Sequence, residues 1–494
     1  MDNNFKDVST EDIKLIMQRS HAAFLEYQTF SAGQKATFLD AIAEEIEALG
    51  DSLLQKASEE TNLPLPRLTG ERGRTTGQLR MFAEMLREGS WVEASIDTAL
   101  PYRTPLPRPD LRKMLIPLGP VVVFGASNFP FAYSTAGGDT SSALGAGCPV
   151  VVKAHPAHAE TSEMVYQAIK KAIARTGMPT DVFQHVHGTS FETGKALVQA
   201  DETAAVGFTG STVGGLALLK YSSERKNPIP VFSEMGSINP VIFLPDTLKQ
   251  NAAELATQYA GSITLGMGQF CTNPGLMLAV EGEGLDEFYK HLGGQIEQVK
   301  PANMLHAGIH EAYQKKSSAA LSQDGVTDVA RTSTKGVDIQ AEPIIATVTA
   351  ETFLQNHLLS EEVFGPFSLL VKCKDEQQLM QVLKTVSGQL TTTVMGTDSD
   401  LASHPNLLQM LPLLAGRVLF NGVPTGVEVC ASMVHGGPFP ATTDSRFTAV
   451  GINAAKRWVR PVCFQNCPDA LLPVALQQAN PTNIWRLFDG EWKK

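Results

Sequence analysis

Between residues 118 and 209, short buried-type runs alternate with helix-compatible segments, and this alternation constrains the fold more than any other feature of the chain. The runs are Leu-Gly-Pro-Val-Val-Val-Phe-Gly-Ala from Leu118, Pro-Val-Val-Val-Lys ending at Lys153, Val-Phe-Gln-His-Val-His from Val182, and Ala-Ala-Val-Gly-Phe-Thr-Gly-Ser from Ala204. Segments 134–144, 161–176 and 193–199 have helical length and spacing. Strand and helix in this order predict a parallel sheet with helices on both faces. Ligands bind such sheets beyond the carboxyl ends of their strands.

The first hundred residues read as helices. Ser9, Thr10 and Asp12 can cap a run carrying Ile13, Ile16, Met17, Ala23 and Phe24 at helical spacing, and a second run extends over about 31–58. A third, over 71–87, places Leu79, Phe82, Ala83 and Leu86 on one stripe, with Arg72, Arg74 and Arg80 around it as a solvated or salt-bridged face. Residues 101–120 hold six prolines, which suits extended edge segments, an arm or an inter-domain crossing. After Pro228 come two strand-like runs and a helix-compatible stretch over about 251–266; strands and helices continue to about 430, enough for a second α/β domain. Trp458, Trp485 and Trp492, among prolines in the tail, are expected to pack on a neighbouring domain or subunit.

With 494 residues, 43% of them hydrophobic, the chain can build two or three cores. Forty basic against 51 acidic residues leave a net charge of −11, which argues against a generic basic surface for nucleic acid or anionic lipid. Cysteines 148, 271, 373, 430, 463 and 467 show neither a paired framework nor zinc-site spacing, so reduced thiols and no metal are expected. The N-terminal run has no basic start followed by an apolar stretch, and no segment offers about 18 uninterrupted apolar residues. A cytoplasmic protein with no membrane partner is the expectation.

The chemistry concentrates in a few loops. Cys271 sits in Gly-Met-Gly-Gln-Phe-Cys-Thr-Asn-Pro-Gly, where small residues let backbone amides approach a thiolate or an oxyanion. Alone, such a cysteine reads as a buried inert thiol; its companions reverse that. Glu234 follows a strand-like run, where desolvation can make a carboxylate a useful base. Asn128, in Gly-Ala-Ser-Asn-Phe-Pro-Phe, ends another and can donate its amide to an oxyanion. Phe-Thr-Gly-Ser-Thr-Val-Gly-Gly over 208–215 is a glycine-rich strand-to-helix turn able to face a phosphate, and differs from the GxGxxG fingerprint. Lys153 ends a strand with no acid before Glu160, which admits a 2′-phosphate. Glu361-Glu362-Val-Phe364-Gly-Pro completes the set.

In this order, over residues 125–366, these motifs resemble the NAD(P)-dependent aldehyde dehydrogenase superfamily. The wording around them looks most like its 2,5-dioxovalerate (α-ketoglutarate semialdehyde) dehydrogenase branch, close to an NADP-preferring fatty-aldehyde branch. The resemblance implies an α/β fold of three parts. These are a Rossmann-type nucleotide-binding domain from 1–100 and 118–236, a catalytic domain over 237–430, and oligomerisation segments 101–117 and 431–494, in a homodimer or homotetramer. It makes Cys271 the nucleophile, Asn128 an oxyanion donor and Glu234 the base that activates water. Lys153, His155, Gly210, Ser211, Gly214, Glu362 and Phe364 would contact the cofactor, expected to be NADP with NAD as the alternative. Three departures matter: Glu-Met-Gly-Ser-Ile replaces the usual Glu-Leu-Gly-Gly-Lys, Pro156 stands where NAD-preferring members often carry an acid, and His435 sits where the NADP-preferring branch has an auxiliary histidine.

The implied reaction oxidises 2,5-dioxopentanoate to 2-oxoglutarate through a thioester on Cys271. The alternatives are a long-chain aliphatic aldehyde dehydrogenase, an acyl transfer to coenzyme A that the retained Glu234 disfavours, and a catalytically silent binding protein on the same scaffold. Ala132, Tyr133, Ala136 and Gly137, at helical spacing after Asn128, suggest an open substrate tunnel. Arg80 or Arg446 would meet a substrate anion.

Overall fold

A computed structural model describes residues 5–494. Four helices lead: Thr10–Tyr27, Ala32–Ala48, Gly50–Thr61 and Leu65–Glu88. Ser9 caps the first through the Asp12 amide, and Ser31 with Gln34 forms a capping box on the second. The single run expected over 31–58 breaks at Gly50, whose φ of +58° is cheap only for glycine. The third expected helix begins earlier, at Leu65, behind Pro64.

The expected strands form a five-stranded parallel sheet in the order Phe183–Val186, Val150–Lys153, Val121–Phe124, Ala205–Thr209, Val231–Glu234. Strand alternation sends Val121, Val123, Val150 and Val152 into a core with the Ala32–Ala48 and Ala159–Thr176 helices. Val122, Val151, Val186 and Val206 face the opposite core, with Ile13, Met17, Leu197 and Leu218. The helix expected over 134–144 starts only at Gly138. Before it the chain folds back on itself: the Gly138 amide donates to the Ala132 carbonyl at 3.0 Å, and a Cβ on Gly137 would lie 2.4 Å from that oxygen. Ala132, Tyr133, Ala136 and Gly137 therefore share no helical face.

A second sheet of seven strands runs Thr327–Arg331, Ile344–Thr349, Phe367–Cys373, Leu276–Val280, Val241–Phe243, Gln389–Met395, Ala415–Phe420, parallel except for the first. The third sheet joins the proline-rich arm to the tail, ordered Val459–Gln465, Leu111–Pro117, Ser95–Asp97, Arg486–Phe488, Glu491–Lys493. Leu111–Pro117 is thus an interior strand, not the edge expected. It tolerates that place because its one proline is its last residue.

Of the tail tryptophans, Trp485 and Trp492 are exposed, whereas Trp458 is buried against the first sheet. The Trp458 Nε1 donates to Ser142 Oγ at 2.8 Å, its ring meets Phe232 edge-on, and Arg457 pairs with Asp139 at 2.7 Å. Among the described residues no helix is long and apolar enough to cross a membrane. Trp458→Ala should cost about 3–5 kcal/mol, since it removes a large buried side chain at the junction of tail and sheet. Urea unfolding checks this, and an unchanged midpoint would contradict it.

Candidate active site

The Pro245–Thr264 helix ends in a reversal at Gly266, Met267 and Gly268, all with positive φ, which brings the Cys271 loop back against the end of the second sheet. A Cβ on Gly268 would lie 2.2 Å from the Gly365 carbonyl oxygen, so glycine alone allows the loop to meet the Glu362–Pro366 segment backbone to backbone. The Asn273 amide donates to that same carbonyl at 3.2 Å.

From the first sheet, Glu234 ends the strand Val231–Glu234, and the Gly210 amide donates to its carbonyl at 3.0 Å. His435 arrives from the segment after the second sheet. Its Nε2 stands 3.4 Å from Cys271 Sγ and 3.8 Å from a Glu234 carboxyl oxygen. Neither Glu234 oxygen has a hydrogen-bond partner among the described residues. The Asn128 Nδ2 donates to the Gln269 carbonyl at 3.2 Å, two residues before the cysteine. Cys271, Glu234, Asn128 and His435 are thereby brought together from four separate loops.

Burial sets the protonation states. It pushes Glu234 up to about 8, reinforced by the nearby Asp139. It pushes the Cys271 thiol up to about 12, with Glu234 adding to the effect, and drives His435 down to about 3, with Arg417 and Arg74 helping. At neutral pH the trio is a thiol, an uncharged imidazole and a carboxyl that is about one-tenth ionised.

The remaining expected residues lie at the carboxyl ends of the first sheet's strands, in the turns that follow them, and on the segment 362–364. Lys153 ends its strand in no ion pair among the described residues, held below the usual lysine range by burial. Ser211 caps the Thr212–Ser223 helix through the Gly214 amide at 3.1 Å, so its hydroxyl is committed to the helix. His155 caps the next turn through Ala157 and stacks on His158. Glu362 reaches back to the turn after Glu234, its Oε1 accepting from the Ser237 amide at 3.3 Å, and Phe364 lines a cavity with Gly268, Phe270 and Asn273. Glu160, the first acid after Lys153, is drawn away to Lys56 at 2.7 Å. A lysine, a helix N-terminus and a carboxylate are groups of the chemistry that suits the phosphates and ribose hydroxyls of a dinucleotide.

Several expectations fail. Arg80 is tied to Glu47 on the surface and Arg446 to Asp444, so neither is free for a substrate anion. Arg74 is no solvated face residue: its Nη2 reaches the Tyr133 hydroxyl at 3.2 Å. Ala132 and Tyr133 are buried in one apolar cluster with Ala126 and Val450. Sequence reasoning also missed Asn239, whose amide donates to the Cys271 and Asn273 carbonyls at 2.9 Å, and Gln389, which accepts from the Ile238 and Asn239 amides. The one signal was an Asn-Pro pair shortly after the Glu234 turn.

A family model described as "Aldehyde dehydrogenase family" matches residues 3–438. An alpha-ketoglutaric semialdehyde dehydrogenase 2 of Azospirillum brasilense is 50% identical, covering 97% of this chain and 91% of the relative. An alpha-ketoglutaric semialdehyde dehydrogenase of Acinetobacter baylyi is 47% identical, covering 98% and 92%. Among solved structures, a betaine aldehyde dehydrogenase from Staphylococcus aureus superposes with a TM-score of 0.79 at 18% identity, covering 95% of this chain and 90% of that one, a likeness of fold.

With the thiol held near 12, alkylation of Cys271 by iodoacetamide should rise about tenfold per pH unit from about pH 7 to 10 without a plateau. Peptide mass spectrometry follows the rate, and a plateau near pH 8 would show an activated thiolate instead.

Proposed function

This chain belongs to the aldehyde dehydrogenase family, and we propose that it oxidises 2,5-dioxopentanoate to 2-oxoglutarate with NADP. The grouping of His435 beside the Cys271 sulfur, Glu234 beside His435 and Asn128 on the Gln269 carbonyl of the cysteine loop carries the reading. The two relatives near 50% identity, both alpha-ketoglutaric semialdehyde dehydrogenases by name, support the substrate.

In this mechanism Cys271 adds to the aldehyde carbon, and its proton leaves through the neighbouring carboxyl and imidazole pair. The Asn128 side-chain amide and the Cys271 backbone N–H hold the oxyanion of the thiohemiacetal. A dinucleotide held by Lys153, the Thr212–Ser223 helix N-terminus and Glu362 would supply the acceptor for the hydride of the thiohemiacetal, whose loss gives a thioester on Cys271. Glu234, with both oxygens unpartnered and its pKa near 8, then takes a proton from the water that hydrolyses that thioester. His435, uncharged, orients the sulfur.

Lys153, His155, Gly210, Ser211 and Gly214 form the adenosine and pyrophosphate side of the cofactor crevice, and Glu362 with Phe364 the nicotinamide side. The lack of an acid in the chain between Lys153 and Glu160 supports NADP over NAD, because a carboxylate directly after that strand would repel a 2′-phosphate. The third sheet, with Tyr102, Leu106 and Trp492 exposed on and beside it, is the surface for a second copy of the chain, giving a homodimer or homotetramer.

Absorbance at 340 nm with 2,5-dioxopentanoate should show faster reduction of NADP than of NAD, and none with Cys271→Ala. Turnover of decanal exceeding that of the oxo acid in kcat/KM would move the substrate to fatty aldehydes. Glu234→Gln should release about one equivalent of reduced cofactor per subunit and then slow by about 10²–10⁴. In the wild type the hydrolytic step should climb with pH and level off above about 8, as Glu234 ionises. A flat profile from about pH 6 to 9 would remove Glu234 from that step.

A further inference from the structure

Arg67, Glu71 and Arg74 lie at i, i+4 and i+7 on the Leu65–Glu88 helix, a spacing that puts all three on one stripe. That stripe faces the loop after Asn128. The Arg67 guanidinium lies over the Phe129 and Phe270 rings, 5.1 and 4.7 Å from their centroids, and its Nη2 donates to the Asn128 carbonyl at 2.7 Å. The Arg74 guanidinium lies over the Tyr133 ring at 5.3 Å. Phe270 precedes Cys271 in the chain, and the Tyr133 ring stands 6.2 Å from that of His435. Two cations thus flank the aromatic wall beside the nucleophile.

Neither cation is neutralised by an ion pair among the described residues. The buried Arg67 Nη1 and Arg74 Nε have no hydrogen-bond partner. Glu71, between them, spends one carboxyl oxygen on the Phe131 and Ala132 amides, at 2.8 and 3.0 Å, and so fixes the loop rather than the arginines. Arg417, from the second sheet, donates only to the Gly426 and Pro424 carbonyls. Around the thiol the Arg74 and Arg417 guanidinium groups stand against Glu234 and Glu362, and Arg67 stands against Glu71. Buried guanidinium N–H groups left unpaired are costly, and an anion beside them relieves that cost.

We propose that Arg74 and Arg67 form the subsite that binds the carboxylate and adjoining keto oxygen of the aldehyde substrate, at the end distal to the reacting carbon. In 2,5-dioxopentanoate the carboxylate lies four bonds from the aldehyde carbon, a reach of about 5 Å. Between the sulfur and Arg74 stand His435, 3.4 Å from the sulfur, and the Tyr133 ring, 6.2 Å from the His435 ring and 5.3 Å from the guanidinium. The subsite deepens the oxo-acid reading and rests on it. Arg74 and Arg67 are specificity residues, touching substrate away from the reacting atoms.

The test compares kcat/KM for 2,5-dioxopentanoate with that for pentanal, an uncharged aldehyde of equal length, in the wild type, Arg74→Met, Arg67→Met and Arg74→Lys. Loss of a charge-assisted hydrogen bond predicts that Arg74→Met lowers the oxo-acid to pentanal ratio about thirtyfold, mainly through KM. Arg67→Met should act in the same direction, and Arg74→Lys should recover part of the ratio. An equal loss with both substrates would overturn the subsite in favour of a structural role, as would an unchanged ratio. If Arg74→Met fails to fold, the ratio in Arg74→Lys and Arg67→Met decides. If the wild type ignores 2,5-dioxopentanoate, the oxo-acid function falls and 5-oxopentanoate against pentanal tests the subsite alone. A wild-type preference for the carboxylate that Arg74→Met abolishes would sustain it, and no preference would overturn it.

Discussion

The site depends on one buried amide. Asn239, fully buried and at a φ of +46°, hands its Nδ2 to the carbonyls of Cys271 and Asn273, while its Oδ1 accepts from the Thr391 hydroxyl at 2.9 Å. Gln389 holds the same turn from the other side, accepting from Ser237 Oγ, the Ile238 amide and the Asn239 amide. These bonds tie the chain leaving Glu234 to the strand Gln389–Met395 and to the cysteine loop at once. Each donor is buried and satisfied, so a shift of any one loop would strand polar groups away from water. That penalty keeps a carboxyl from one sheet and a sulfur from the other in register.

The same enclosure tunes the reacting groups. Removing water raises an acid and lowers a base, so one act of burial leaves Glu234 near 8, the thiol near 12 and the imidazole near 3. The resting site is close to uncharged at the sulfur, the carboxyl and the imidazole. Fixed positive charge lies instead along the flank, on Arg67 against the Asn128 carbonyl and Arg74 against the Tyr133 hydroxyl. A base near 8 would be matched to the task proposed for Glu234, ionised often enough to act and basic enough to take a proton from water.

Much of the fold was legible because it is written in local patterns. The parallel sheet follows from short valine-rich runs separated by helices, and Ser9 and Ser31 announce their helices through side chains that reach only three residues along the chain. The misreadings came where distant atoms decide. The break at Gly50 and the fold-back before Gly138 depend on close approaches that periodicity does not show. Leu111–Pro117 gained its second neighbour from residues 459–465, more than three hundred positions away. Arg74 and Arg80, on one helix, looked alike in sequence. Packing turned one to Tyr133 and the other to Glu47.

By itself the sequence determined the two α/β sheets, the identity of the cysteine and carboxylate pair, and the order of loops that carries the family resemblance. These are matters of side-chain type and short-range spacing, which the covalent chain fixes. Tertiary structure decided that His435 lies 3.4 Å from the sulfur, that Asn239 and Gln389 hold the loop, and that Arg67 and Arg74 turn to the Asn128 carbonyl and the Tyr133 hydroxyl while Arg80 and Arg446 are held in ion pairs. Those outcomes depend on desolvation and on contacts between segments far apart in the chain. Both exist only once the chain has closed around them.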